Sequence, residues 1–187
     1  MARFYGRDVS LEDLHTWDLG VSLGLAEHEV QPFMDRVHAP ETLGAMALID
    51  GAREALHRIG ALGFEVHIVT GRPPSTAATT RDWLRARKVP HDVLIHVDKY
   101  GHNVASSAEC RVLALGDLAH KAYAFAVEDS GETAVYLAGK GVPVALMDRP
   151  WNRGVEVRAA EERKLISRYS DWSGVLCWIE EEVHAGI

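Results

Sequence analysis

The chain has 187 residues, which is enough for one compact domain with a sizeable core and a small appendage. Its residues are 47% hydrophobic and 25% charged, and its net charge of −7 argues against a surface that binds nucleic acid. The two cysteines, Cys110 and Cys177, lack the spacing of a disulfide framework or a structural zinc site. Because no apolar run resembles a signal core or a membrane span, we expect a cytoplasmic protein without a membrane partner.

Residues 1–48 are predicted to form a small helical cap. Ser10 with Asp13 resembles a helix start, followed by a short amphipathic helix. A second helix is predicted over 25–38, because its apolar residues recur at spacings of three and four, as on one buried face. Residues 8–45 are therefore expected to be entirely helical.

The pattern changes at about residue 48, where strands and helices begin to alternate. The predicted strands are 64–69, 93–97, 124–127 and 142–147. The predicted helices are 50–62, 75–87, 108–121, 132–140 and 172–183. Strands separated by helices imply crossover connections and a mainly parallel sheet, so residues 49–187 are predicted to be an α/β, Rossmann-like core.

The predicted strand 64–69 runs directly into polar residues. Ligands of open α/β sheets bind at the carboxyl ends of the strands. There, the hydroxyl of Thr70 could donate to a phosphate oxygen, Gly71 allows close backbone approach, and Arg72 could bind a phosphate with two hydrogen bonds. The alternatives are that these residues form only a strand-to-helix turn, and that Arg72 pairs with an acidic neighbour at the surface.

A second strand end, after residue 127, carries carboxylates. Asp129, with Glu128 beside it and Glu132 three residues later, offers the hard oxygen ligands that Mg²⁺ prefers. The alternative is that Asp129 or Ser130 caps the helix that follows. The two strand ends together suggest half of a phosphotransfer site. One end would bind the phosphate through Thr70, Gly71 and Arg72, which we call the phosphate grip, and the other would hold a metal ion.

Lys99 follows the strand 93–97 closely, so its ammonium could offset charge on a phosphate at the same sheet edge. Lys121 is the competing lysine, although helical surroundings favour an exposed position for it. The ten histidines do not have the spacing of a metal motif, so surface or structural roles are expected. The sequence also lacks a nucleophile elbow, a dinucleotide fingerprint and a Walker loop.

The order of these motifs resembles the haloacid dehalogenase (HAD) superfamily. The similarity is carried by Thr70-Gly71-Arg72-Pro73, then Asp98-Lys99, then Glu128-Asp129-Ser130. Within that superfamily the chain is most similar to 5'-nucleotidase and 5'(3')-deoxyribonucleotidase-like phosphatases with a small helical cap. The similarity continues through Pro150-Trp151-Asn152 and Ser170-Asp171-Trp172, and so covers nearly the whole chain.

The resemblance implies a hydrolase that cleaves phosphate monoesters with Mg²⁺, through an aspartyl-phosphate. By this match Thr70 binds the phosphate, Lys99 stabilises its charge and Asp129 holds the metal. Glu128 and Glu132 are secondary metal ligands. The implied substrate is a small phosphorylated molecule of the nucleotide type. Trp17 and Phe33 on the cap could stack on a nucleobase, or could be ordinary core residues.

The front of the chain departs from the family pattern. The family begins with an apolar strand ending in Asp-x-Asp-Gly-Thr, whereas this sequence begins almost directly in the cap. Asp8 is the only acidic residue before the cap helix, and the residues before it make a poor buried strand. A strand and its connection, on the order of 20 residues, are therefore expected to be missing. Asp8 is better explained as a polar residue beside the helix start.

Two hypotheses follow from this departure. In the first, the chain is a nucleotidase-type phosphatase started at an internal methionine, without its nucleophile segment and therefore inactive or impaired. In the second, it is a non-catalytic HAD-like module that binds a ligand or a partner. The coding sequence upstream of Met1 separates them. In both cases a missing strand should leave an open apolar gap in the sheet, or should be supplied by a second copy of the chain.

Overall fold

The computed structural model describes residues 2–4, 7–98, 106–107 and 110–185. These residues form an α/β fold that contains two parallel sheets of three strands each. Contacts divide the chain into a first unit, Met1–Pro32 with Ala122–Asp171, and a second unit, Phe33–Lys121 with Trp172–Ile187. The boundary predicted at residue 48 falls inside the second unit.

Strands and helices mostly alternate along the chain after residue 50. The strands are β1 (Ala2–Phe4), β2 (Arg7–Val9), β3 (His67–Thr70), β4 (Val93–Asp98), β5 (Arg111–Ala114), β6 (Ala126–Glu128), β7 (Val144–Met147) and β8 (Ile166–Tyr169). The helices are α1 (Leu19–Leu23), α2 (Glu27–Val37), α3 (Pro40–Ala45), α4 (Ala52–Ala61), α5 (Ala77–Ala86), α6 (Leu115–Ala119), α7 (Gly131–Gly139), α8 (Val155–Glu162) and α9 (Trp172–Ala185). No described helix combines the length and the apolar character needed to cross a membrane.

The first unit is built around the parallel sheet β6-β7-β8. Its central strand β7 is buried along its whole length, as expected for a parallel strand covered on both faces. Helices α7 and α8 connect the strands and pack on them. Leu137, Leu146 and Val157 belong to the resulting core. This packing places the turn after β6 and the loop after β7 within one compact unit.

The second unit contains the parallel sheet β3-β4-β5. Thr70, the last residue of β3, lies opposite His96 on β4. Helix α5 connects these two strands and packs against α3, while α4 packs against α9. Ile95 at the centre of β4 is fully buried. The sheet therefore holds the end of β3 in a defined position beside β4.

Several predicted elements are confirmed with small shifts, and two predictions near the start are corrected. Residues 7–9 are not helical, because β2 pairs with β1 in an antiparallel hairpin in which Asp8 lies opposite Arg3. The helix start at Ser10 is confirmed, since the Asp13 carboxylate accepts hydrogen bonds from the Ser10 backbone N–H and hydroxyl, both at 2.7 Å. The helix that follows is only a 3₁₀ turn over Leu11–Asp13.

Another prediction is wrong in the second half of the chain. A helix was expected over 108–121, but residues 111–114 form β5 and only residues 115–119 are helical. Val112 pairs beside His96 and is buried there, so burial on β4 outweighs the local helical preference. The parallel strands also form two sheets rather than one, and α8 and β8 were not predicted.

Strand β3 has a neighbour on one side only. Within the described part of the chain it pairs with β4, and its other edge carries no strand. Val69 on this strand is 43% exposed, although parallel strands are normally buried on both faces. Among the described strands, β3 is therefore an edge strand with an exposed valine.

We expect this edge to promote self-association, because unpaired edge strands offer a template for another chain. Val69→Lys should raise the dissociation constant of the associated form by about tenfold, since a lysine on an edge strand opposes pairing. Light scattering over a concentration series measures this. Val21→Lys is the matched control, because Val21 is an exposed valine on α1 away from any sheet edge. A wild-type chain that stays monomeric throughout the series would contradict the prediction.

Candidate functional site

The carboxyl end of β3 presents Thr70, Gly71 and Arg72 in a tight turn. The Thr70 hydroxyl oxygen accepts a hydrogen bond from the backbone N–H of Arg72 at 3.2 Å. A hydroxyl can donate one proton while it accepts, so that of Thr70 can still donate to an oxygen above the strand end. Gly71 is exposed and adds no side chain to the turn. The turn thus keeps a donor and an open approach at the end of the strand.

His96 fixes this turn from the neighbouring strand. Its side chain is 1% exposed, and Nδ1 lies 3.0 Å from the backbone oxygen of Arg72. Because a carbonyl oxygen can only accept, Nδ1 must carry the proton of this hydrogen bond. The other nitrogen, Nε2, is buried and has no hydrogen-bond partner among the residues that the structure describes. His96 is therefore a structural histidine that holds the Arg72 backbone.

The Arg72 guanidinium is half-buried without an acidic partner. Its Nη1 lies 3.5 Å from the Thr80 hydroxyl, its Nη2 lies 3.4 Å from the Met46 sulfur, and its centre is 5.8 Å from the Trp83 ring. No carboxylate of the described residues forms an ion pair with it, so the predicted alternative of a surface ion pair is not realised there. Burial lowers the pKa of Arg72. The end of β3 therefore carries an uncompensated positive charge.

A second arginine contacts the same tryptophan, and a histidine lies near Arg72. Arg87 lies 5.3 Å from the Trp83 ring, and both Arg87 Nε and Trp83 Nε1 donate to the Met46 backbone oxygen at 2.8 Å. His38 is close enough to Arg72 to respond to its charge, because burial first and Arg72 second lower the pKa of His38 from its ordinary 6.5. This cluster of cationic and aromatic groups favours a bound anion.

The turn after β6, in the first unit, is held by its own side chains. Glu128 Oε2 accepts hydrogen bonds from the backbone N–H groups of Asp129 and Ser130, at 2.9 and 3.0 Å. The Ser130 hydroxyl accepts from the backbone N–H of Thr133 and caps α7. Of the two caps considered from the sequence, Ser130 is the one that forms. One oxygen of Glu128 is thus engaged in shaping the turn.

The Pro-Trp-Asn segment clamps the same turn from the other side. The backbone oxygen of Asp129 accepts hydrogen bonds from Trp151 Nε1 and Asn152 Nδ2, both at 2.9 Å. Asn152 is 1% exposed and also donates to the Met147 backbone oxygen at 2.8 Å. Two motifs that are separated in the sequence therefore form one structural feature around Asp129.

The carboxylates of this turn do not by themselves make a metal site. Within the described ranges, no group of three or more His, Cys, Asp or Glu side chains is gathered to hold a metal ion. Glu128 is bonded to the turn, and Glu132 lines a groove beside Trp17. Asp129 fits a site of the kind that Mg²⁺ uses, with one or two carboxylates completed by phosphate and water. Magnesium binding stays a prediction.

The predicted site residues fall into separate groups. Thr70, Gly71 and Arg72 come together in the second unit, whereas the three predicted metal ligands belong to the first. Lys99 lies outside the described residues. Its rival Lys121 follows α6 and is half-buried. The sequence did not indicate His96, Trp83 or Arg87 as neighbours of Arg72, because they are distant in the chain.

Comparison of the chain with protein-family models, with curated proteins and with solved structures finds no match. The resemblance of its motifs to the HAD superfamily therefore stays a prediction, which rests on the order of those motifs. The geometry at the end of β3 and the clamp on Asp129 are the structural features on which a function can be argued.

Proposed function

We propose that this chain is a HAD-like phosphohydrolase scaffold of nucleotidase type that holds a phosphate monoester at the end of β3. The observation that supports it best is the half-buried Arg72 guanidinium, which has no carboxylate partner among the described residues. Burying a charge without a counter-charge is unfavourable, and a phosphate dianion would supply the missing one. The adjacent Thr70 hydroxyl adds a donor of the type that phosphate oxygens need.

In this proposal each residue has a defined role. The Arg72 fork binds two phosphate oxygens, Thr70 donates to a third, and Gly71 leaves room for the ester. Asp129, in the first unit, is proposed separately as a ligand of Mg²⁺, a hard cation that binds carboxylate oxygens. Lys99 is proposed to add a further positive charge. The aspartate nucleophile of the HAD pattern is not found in this sequence, so for the phosphatase we expect phosphate binding with impaired but measurable turnover.

The second candidate function is a non-catalytic HAD-like module that binds a phosphorylated ligand. It is favoured by the absence of a gathered set of carboxylates in the part of the chain that the structure describes. Both functions need the same grip at the end of β3. They differ only in whether the bound ester is hydrolysed.

Calorimetric titration with inorganic phosphate and with p-nitrophenyl phosphate measures whether the phosphate grip binds these ligands. Arg72→Gln should weaken binding of both by about tenfold or more, because a hydrogen-bonded charged group contributes roughly 1.5–3 kcal/mol. Arg85→Gln is the matched control, since Arg85 lies on α5, is exposed and pairs with Asp82 at the surface. The control should bind as the wild type does.

Release of p-nitrophenol in the presence of Mg²⁺ then separates the two functions. Turnover that disappears in Asp129→Asn supports the phosphatase, whereas binding without turnover supports the non-catalytic module. If the wild-type chain binds neither phosphate probe, or if Arg85→Gln weakens binding as much as Arg72→Gln, the phosphate grip is wrong.

A further inference from the structure

The first unit contains a groove with a volume of about 440 Å³ that the phosphate proposal does not use. It lies beside the first turns of α7 and α8, and Trp17 and Trp151 line it together. Their ring centroids are 6.2 Å apart and their planes meet at 63°, an edge-to-face pair. A groove of this volume is in the range of small-ligand and side-chain pockets.

The groove continues into an exposed apolar surface. Trp17 is 48% exposed, and Val155, which also lines the groove, is 76% exposed. Leu11 is 53% exposed, and the 3₁₀ turn that carries it contacts the Pro150–Asn152 turn next to the groove. Exposed apolar residues that cluster around a groove indicate a surface for a partner rather than a solvated face. The apolar surface is also wider than the groove itself.

The charge of the groove is negative. Glu132 and Glu156 both line it, and neither forms an ion pair within the described residues. No lysine, arginine or histidine is among its described lining residues. Two arginines flank the lining residues along the chain: Arg153 is paired with Asp148 at 3.0 Å, and Arg158 is exposed on α8 and is not a lining residue. Such a groove repels a phosphate and attracts a cation.

The two glutamates stand at helix positions that favour a carboxylate, but their charge is still available to a ligand. Each is the second residue of its helix, where the positive end of the helix dipole favours a carboxylate. Both glutamates are exposed and line the groove. Two carboxylates beside two indole rings form a setting in which a guanidinium or ammonium group gains both ion pairing and cation–π attraction.

We propose that this groove binds an arginine or lysine side chain from a basic segment of a partner protein, with apolar residues of that segment on Leu11 and Val155. The choice of a peptide over a small cation follows from the apolar surface outside the groove, which a single small cation would leave uncovered. The choice of a cation over a nucleobase follows from Glu132 and Glu156. This site is separate from the phosphate grip and does not depend on it.

The probe is a short amidated peptide in which an arginine is flanked by leucine and valine. The control peptide carries citrulline, which is nearly isosteric with arginine but neutral. With 5-fluorotryptophan incorporated into the chain, fluorine NMR follows the resonances that Trp17→Leu and Trp151→Phe identify. The arginine peptide should shift both resonances, and the citrulline peptide should bind about tenfold more weakly or not at all.

Variants of the chain test whether the two glutamates bind the cation of the peptide. Glu132→Gln combined with Glu156→Gln should weaken the arginine peptide by about tenfold, since each exposed ion pair contributes up to roughly 1 kcal/mol. Glu162→Gln makes the same type of substitution at the other, exposed end of α8 and should have no effect. Arg72→Gln should also leave peptide binding unchanged, so failure here is distinct from failure of the phosphate grip.

Three results would overturn the proposal. The first is equal affinity for the arginine and citrulline peptides. The second is equal affinity for the peptide and for free arginine amide, which would make the apolar surface irrelevant. The third is a nucleoside such as uridine that shifts the same two tryptophan resonances when the arginine peptide does not.

Discussion

Replacing Asn152 with alanine is expected to lower the free energy of unfolding by about 3 kcal/mol, because it leaves several buried polar groups without partners. The Asn152 amide donates to the backbone oxygens of Asp129 and Met147, at 2.9 and 2.8 Å. Its oxygen accepts from the Arg149 backbone N–H at 3.2 Å and from Arg168 Nη1 at 2.6 Å. One side chain thus connects the ends of β6 and β7.

Urea unfolding followed by circular dichroism measures this loss. Asn152→Asp is the informative companion, because it keeps the accepting oxygen for Arg168 but places a carboxylate oxygen against two backbone carbonyls. It should therefore also destabilise the protein. Glu162→Ala, at an exposed position on α8, is the control and should change stability by less than about 0.5 kcal/mol. A loss below 1 kcal/mol for Asn152→Ala would show that the clamp on Asp129 is dispensable.

Arg168→Gln is expected to cost about 2–4 kcal/mol, because it removes the cation from a partly buried network and leaves its carboxylates behind. Arg168 donates to Glu161 at 2.7 Å, to Asp148 at 2.8 Å and to the Asn152 side chain at 2.6 Å. Arg163→Gln is the matched control, since Arg163 is exposed at the end of α8 and forms none of these bonds. Equal stability of the two variants in urea would contradict this role.

The same network predicts a dependence on acid. The hydrogen bond from Arg153 first, and that from Arg168 second, lower the pKa of Asp148 below its ordinary value of 3.8. A carboxyl whose pKa is lower in the folded state stabilises the fold fully above the unfolded pKa. This contribution is lost as the pH falls below 3.8 through the lowered pKa. Arg168→Gln should therefore lose less stability than the wild type between pH 5 and pH 2.5, measured by urea unfolding at each pH.

Elements whose signals are local were predicted well from the sequence. Gly63 and Gly141 lie just beyond the ends of α4 and α7, and both have a positive φ, of 94° and 85°, as is typical of glycine after a helix. The apolar spacing of α5 and the short apolar run of β4 also lie within a few consecutive residues. Such sequence patterns depend only on residues within one or two turns, so the elements that they predict also form in the folded chain.

Elements that depend on distant partners were not predicted. Residues 111–114 were expected to be helical, but they become β5 because an edge of β4 is available to pair with them. Strands β1 and β2 likewise exist through their pairing with each other, and residue 8 was expected in a helix. The energy of a strand comes from its neighbours, which a local pattern does not contain.

The features of the candidate site also fall into two groups, those that local sequence predicts and those that depend on distant partners. Thr70, Gly71 and Arg72 are consecutive, so their position at a strand end follows from the pattern of apolar and polar residues. The lack of a carboxylate beside Arg72 among the described residues does not follow from it, because Met46 and Trp83 approach that guanidinium from other segments of the chain. The hydrogen bond from the Asn152 amide to the Asp129 backbone oxygen likewise cannot be predicted from the order of residues in the sequence.

The alternation of strands and helices, their caps and the polar ends of β3 and β6 are thus consequences of local sequence. The surroundings of Arg72, which contain no ion-pair partner among the described residues, the role of Asn152 and the acidic groove beside Trp17 arise only when distant segments pack. The physical reason is that burial, counter-charge and hydrogen-bond satisfaction are properties of the surroundings of a side chain, and folding brings those surroundings from elsewhere in the chain.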